Sequence, residues 1–206
     1  GLAALYAHTQ TLDVVELSKR IAAHPLPARV QAFVFPCLLL GFGTLVGLWP
    51  FHSWAPAGYG SAPAATAMMH AGILKKAGLL ALLRIAWPFF PQALAQWVPV
   101  LAWLCVGNLL YCGFVAMRQR DLNLLLGNSS LAHMGFAFLG LASVNVLGVT
   151  GAGLVMVAHA FLAALSFGLS GWLRRQTGIL DIGQFGGLLA RMPFAGAFMV
   201  ACFLAG

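Results

Sequence analysis

The chain has 206 residues, of which 61% are hydrophobic and 7% charged, with a formal net charge of +7 and a mean hydropathy of +0.91. Soluble domains carry about a quarter charged residues, so this composition excludes a water-soluble fold and defines an all-α integral membrane protein. The positive charge lies mostly in loops, which suits a lipid bilayer surface and not nucleic acid.

Residues 1–28 read as the end of one membrane helix followed by a polar or amphipathic connection, because Asp13, Glu16, Lys19 and Arg20 interrupt the apolar pattern. From Val30 to Trp49 comes an apolar run of the length needed to cross a hydrocarbon core of roughly 30 Å. Pro36, Gly41, Gly43 and Gly47 predict a poor regular helix there. Their spacing is not a nucleotide loop, since no βαβ context surrounds it; glycines in an apolar run serve close packing or a break. A Pro-rich turn over 49–63 follows, and Pro63 fits the first turn of a second span reaching about Ile85. Pro88 and Pro91 mark a short link. The third span is predicted at about 95–117, the fourth at about 122–145 and the fifth at about 150–173, with a charged turn at Arg118–Asp121 between the third and fourth. A polar stretch, Arg174 to Arg191, leads to Met192-Pro193, which opens a sixth span.

The chain opens Gly-Leu-Ala and closes inside an apolar run, so an internal piece of a longer protein is expected, with its apolar segments acting as insertion signals. Loop charge divides Lys19, Arg20, Arg29 and Arg84 from Arg118, Arg120, Arg174, Arg175 and Arg191, which leans the second set towards the cytoplasm or matrix. The four cysteines, Cys37, Cys105, Cys112 and Cys202, sit in apolar runs without ligand spacing, which reads against a metal or iron–sulfur site.

All four acids (Asp13, Glu16, Asp121, Asp181) fall at or beyond the ends of apolar runs, whereas Lys75 and Lys76 fall inside one. A lysine near the bilayer centre costs about 3 kcal/mol on insertion scales, so it normally faces a bundle interior, a partner or a water path. Lys76 lies midway along its span and Gly72, one turn earlier, leaves room beside it; a proton relay is expected of it. For Lys75 two readings stand side by side, a relay role or a side chain that snorkels or pairs structurally. His70 is six residues before Lys76 and off its face, and is read either as a packing residue or as a relay member. In the fourth span Asn123, Gly127, Ser130 and Met134 recur at helical spacing, with Ser129 and Ser130 one turn before His133; in the fifth, His159, Ala163, Ser166 and Ser170 form a small-polar stripe. Histidines in three neighbouring spans, with Lys76, read as stations of a hydrated proton path, since histidine exchanges protons near neutral pH.

The stretches Pro50-x-His52-x-Trp54-x-Pro56, Ala62-Pro63 and Ala71-Gly72-Ile73-Leu74-Lys75-Lys76-x-Gly78 resemble the antiporter-like subunits of respiratory NADH:quinone oxidoreductase, complex I. Asp121-Leu122 with Ser129-Ser130-x-x-His133-Met134-Gly135-Phe136, and Asp181-Ile182 with Gly186-Gly187-Leu188 and Arg191-Met192-Pro193, resemble its subunit M, the counterpart of mitochondrial chain 4. The resemblance implies a polytopic bundle with inverted five-helix repeats and broken helices. Residues 1–29 would end one membrane helix and connect it, 30–86 would close the first repeat with two helices, and 87–206 would supply three helices of the second repeat and the start of a fourth. It implies a proton-translocating subunit of the bacterial inner or mitochondrial inner membrane, whose catalytic relay would be Lys76, His133 and His159 with Lys75 and His70. No redox chemistry would occur in this chain: NAD, FMN, iron–sulfur clusters and quinone would belong to partner subunits, and antiporter-like subunits would be its neighbours. The alternatives are a cation/proton antiporter, a membrane-bound hydrogenase-type complex, or a structural paralogue that has lost pumping. Three positions depart from the family pattern. Leu45 and Asn123 stand where relay lysines are usual, and Ala57 stands where an Asp is usual.

Overall fold

The computed structural model describes residues 1–205. Two short helices, α1 (Leu2–Thr9) and α2 (Val14–Ala23), precede five helices long and apolar enough to cross a membrane. These are α3 (Ala28–Val46), α5 (Ala64–Phe89), α6 (Pro91–Arg118), α7 (Leu122–Ala142) and α8 (Val146–Thr177), with the short α4 (Trp54–Ser61) between the first two. A 3-10 turn (Ile182–Gln184), α9 (Leu188–Arg191) and α10 (Pro193–Ala205) complete the order.

The acids are used at the edges. Asp13 caps α2 through Val15 N and Glu16 N, both at 2.9 Å, and Asp121 caps α7 through Leu124 N at 3.0 Å. Asp181 accepts from Gly183 N at 3.0 Å, and Glu16 pairs with Arg20 at 2.9 Å. Each carboxylate satisfies backbone donors or an exposed guanidinium, the ordinary use of acid at a helix start. An antiparallel bridge between Asp121 and Asp181, with Leu122 N donating to Leu180 O and Ile182 N to Arg120 O, ties the start of α7 to the loop after α8.

Several boundaries differ from the sequence reading. α3 runs unbroken through Pro36, and the irregularity comes after it, where Gly47 adopts φ 92 and its N–H turns back to Gly43 O and Thr44 O. This left-handed position favours glycine. The following turn contains α4, so α3 and α4 form a broken helix. The Pro88–Pro91 link shrinks to Phe90 alone, because proline is tolerated in a helix's first turn, where its missing N–H has no partner to lose. α8 has 32 residues, about 48 Å at 1.5 Å per residue, which exceeds the hydrocarbon core; its last turn carries Arg174 and Arg175.

α7 is the centre. Its most apolar window is 56% buried, against 28% for α6 and for α8. On one side it packs with α3, α6 and the end of α5 around Phe35, Phe90, Met134 and Phe138; on the other, with α4, the start of α5 and α8 around Tyr59, Leu131 and Phe167. Large apolar side chains such as Trp103, Val146, Leu147 and Phe161 point outward, as lipid or neighbouring helices require. α5 crosses α3 at Gly78, where a Cβ would stand 2.7 Å from both Phe42 O and Val46 Cγ2. A backbone carbonyl cannot yield as a side chain can. Gly78→Ala is therefore expected to cost about 2 kcal/mol by overpacking and to lower the unfolding midpoint in detergent. Gly113→Ala, where nothing lies within 4 Å, is expected to leave the midpoint unchanged or raise it.

Candidate functional site

A helix turns about 100° per residue, so adjacent side chains leave it in different directions. On α5 the consequence is that Lys75 and Lys76 serve different neighbours. Lys75 is fully buried, at 0% exposure, and reaches α7, where its amine donates to Ser130 Oγ and, at 3.3 Å, to Ser130 O. Its Nζ also lies 5.9 Å from the centre of the Tyr59 ring. This contact with a π face supplements its hydrogen bonds. Lys76 is half-buried and reaches α8, with its Nζ 2.8 Å from His159 Nδ1 and hydrogen-bonded to Ala71 O. Snorkelling is thus not what Lys75 does; it is the more enclosed of the two amines.

Two features of α5 make room for this. Residues His70–Leu74 form a π-helical turn just before the lysines, a local widening often found where a helix serves a site. Gly72 faces α8 closely, since a Cβ there would lie 3.3 Å from Ala160 O. Among the described residues no acid pairs with either amine, all four lying at helix starts or in loops.

His159 is buried on α8, and its ring centre lies 5.4 Å from that of His133 on α7. His133 Nδ1 is 2.7 Å from Ser129 O. A cavity of about 50 Å³, lined by Ser129, Ser130, His133, His159, Ser166 and Cys202, lies between α7, α8 and α10. Leu126, Leu162, Ala163, Phe167 and Phe203 supply apolar walls beside these polar groups, and the space is large enough for water. The structure therefore joins Lys76, His159 and His133 at one place. His70 is elsewhere: its Nδ1 is 3.1 Å from the Tyr59 hydroxyl, and its ring meets Trp54 edge-on at 5.3 Å.

The positions where the resemblance implies further charged residues hold neutral groups. Asn123 is buried and accepts a hydrogen bond from Ser170 Oγ, so α7 and α8 meet there through an uncharged pair. Leu45 lies on α3 beside the Gly78 crossing. Among the described residues, no group of three His, Cys, Asp or Glu is placed to hold a metal ion, and the four cysteines are free.

Two contributors escaped the sequence reading. Tyr59 is buried between His70, Phe167 and Lys75, but it sits across the broken segment from them, where no periodicity connects it. Asn108 carried a visible signal, a lone amide in an apolar span. It is fully buried in a π turn of α6; its Nδ2 donates to Gly47 O at 3.2 Å and Leu131 O at 3.1 Å, and its Oδ1 accepts from Trp49 N. One side chain thus satisfies backbone groups freed by the break after α3. Asn108→Leu leaves them unpaired at about 1–3 kcal/mol each, so it is expected to destabilise the chain and to speed hydrogen exchange at the Trp49 amide. Unchanged exchange at that amide would contradict this assignment.

Membrane-length helices around a broken helix, with a lysine pair inside one span and histidines meeting across neighbouring spans, define an antiporter-like membrane subunit. The chain belongs to the family described as NADH:quinone oxidoreductase/Mrp antiporter, transmembrane, which matches residues 1–206. It is 36% identical over 202 residues to NAD(P)H-quinone oxidoreductase chain 4-1 of Synechocystis sp., covering 98% of this chain and 38% of that one. It is 37% identical to chain 4-3 of Nostoc sp., covering 98% and 35%. In structure it matches a chain of respiratory complex I from Thermus thermophilus with a TM-score of 0.91 and 31% identity, covering 99% of this chain and 44% of that one. The chain therefore spans 35–44% of the length of these proteins.

Proposed function

We propose that this chain works as part of a proton-translocating membrane-arm subunit of NADH:quinone oxidoreductase. Electron transfer elsewhere in the complex would drive protons through its buried lysines and histidines. The observation that carries this reading is the 2.8 Å contact between Lys76 Nζ and His159 Nδ1, with the His133 ring directly behind it. An amine that gives a proton to an imidazole, which passes it on from its other nitrogen, is a minimal relay, and two packed imidazoles extend it from α8 to α7. His70 and Tyr59 form a separate hydroxyl–imidazole pair near the start of α5. In this reading NAD, FMN, iron–sulfur clusters and quinone are held by partner subunits, and the outward apolar faces meet lipid and neighbouring antiporter-like subunits.

A second reading, a subunit that keeps the fold without pumping, draws on Leu45 and on the neutral Asn123–Ser170 pair. In sealed vesicles carrying the full-length chain in its complex, Lys76→Ala is expected to lower coupled proton transfer about tenfold or more while electron transfer chains still assemble. His159→Ala is expected to do the same. Wild-type transfer in both variants would favour the non-pumping reading. The chains that co-purify separate a respiratory complex from an antiporter complex: flavin and iron–sulfur subunits accompany the first.

A further inference from the structure

Lys75 lies outside the Lys76–His159–His133 contact, yet it is the better enclosed amine. It points to α7 and Lys76 points to α8, but the two arms end at the same place. Ser130, which accepts from Lys75, and His159, which contacts Lys76, are both walls of the 50 Å³ cavity, and His133 lines it between them. No carboxylate among the described residues offsets either amine. Two adjacent ammonium groups in an apolar surrounding repel each other, so charge on one disfavours charge on the other.

We propose that Lys75 and Lys76 share one proton, that Lys75 is thereby a second proton-holding residue of this site, and that Ser130 and the cavity carry the proton between them. This rests on the proton-relay reading above and deepens it. The step balances within the site. When Lys75 is charged and Lys76 neutral, the Lys75 ammonium gives a proton towards Ser130 Oγ, and the serine hydroxyl gives its own into the cavity. His159 takes that proton on Nε2 and releases the one on Nδ1 to the neutral Lys76 amine. Lys75 ends neutral and Lys76 charged, with no change in net charge. His159 Nδ1 then accepts from Lys76, as its 2.8 Å contact allows. The α5 helix thus carries one amine beside the lysine that the resemblance implies there, while Leu45 and Asn123 stand where the resemblance implies further lysines.

The test uses the full-length chain in its complex in sealed vesicles, reading proton flux per electron transferred with a pH-sensitive dye. Lys75→Met is expected to lower flux about as far as Lys76→Met, roughly tenfold, with the double variant no lower than either single one, because both remove the same shared step. Ser130→Ala is expected to lower flux by a smaller factor, and Ser130→Thr, which keeps the hydroxyl, to restore it. Wild-type flux in Lys75→Met beside a deficient Lys76→Met overturns the shared proton and leaves the relay reading standing. A double variant whose loss equals the product of the single losses overturns it too. Wild-type flux in both single variants overturns the relay reading along with it. If Lys75→Met does not assemble, the serine pair decides: wild-type flux in Ser130→Ala overturns the proposal.

Discussion

Ser130 receives the Lys75 amine from the most enclosed helix of the bundle, and much else in the structure follows from the need to answer that amine with protein instead of water. A charge at this depth is tolerated only where dipoles are already aimed at it. Ser130 supplies a carbonyl and a hydroxyl from one residue, and the Tyr59 ring supplies its π face from the other side. For both to reach Lys75, α5 must sit in the cleft between α4, α7 and α8. That seat is closest at Gly78, where a Cβ would stand 2.7 Å from Phe42 O of α3, and is tight at Gly72, where a Cβ would lie 3.3 Å from Ala160 O of α8. The small residues of α5 and its lysines are therefore parts of one arrangement.

The membrane spans were readable because hydropathy reports burial in lipid directly, and the five long helices stand where apolar runs predicted them. Boundaries were less readable. A proline looks the same in a link and in a first helical turn, so Pro91 reads as the former from sequence and is the latter in the fold. The orientation of the lysine pair was not readable at all. Consecutive residues differ by about 100°, so one lysine's position fixes the other's only once the neighbours of the helix are known. The sequence favoured Lys76 for its depth, whereas burial depends on which helix lies alongside, and α7 lies beside Lys75. His133 and His159 were legible as polar residues in apolar spans, while their approach to each other depends on how closely α7 and α8 pack.

Asn123 shows how the bundle holds together at a position where the resemblance implies a lysine. Its side chain is polar but neutral, and Ser170 on α8 satisfies it within the interior. A neutral amide–hydroxyl pair carries far less desolvation cost than an ammonium, so the α7–α8 contact at that level needs no counter-charge. His133 and His159 stand with Ser130 further along the same pair of helices, opposite α5.

The helix break and the lysine site are held by neighbouring carbonyls of α7. Asn108, which satisfies the freed backbone at Gly47 and Trp49, also donates to Leu131 O, and Lys75 donates to the carbonyl of the preceding residue, Ser130. Two successive peptide groups of one rigid helix thus bear the two loads. Gly135, one turn further on, brings α6 close, since a Cβ there would lie 3.1 Å from Asn108 Cβ. A packed contact of this kind does not deform by small degrees; it holds one register or shifts to another. A change in the register of α6 against α7 would act through Asn108 on the break and, one residue away, on the partner of Lys75. The geometry of the broken helix and the surroundings of the buried amine are for that reason set together.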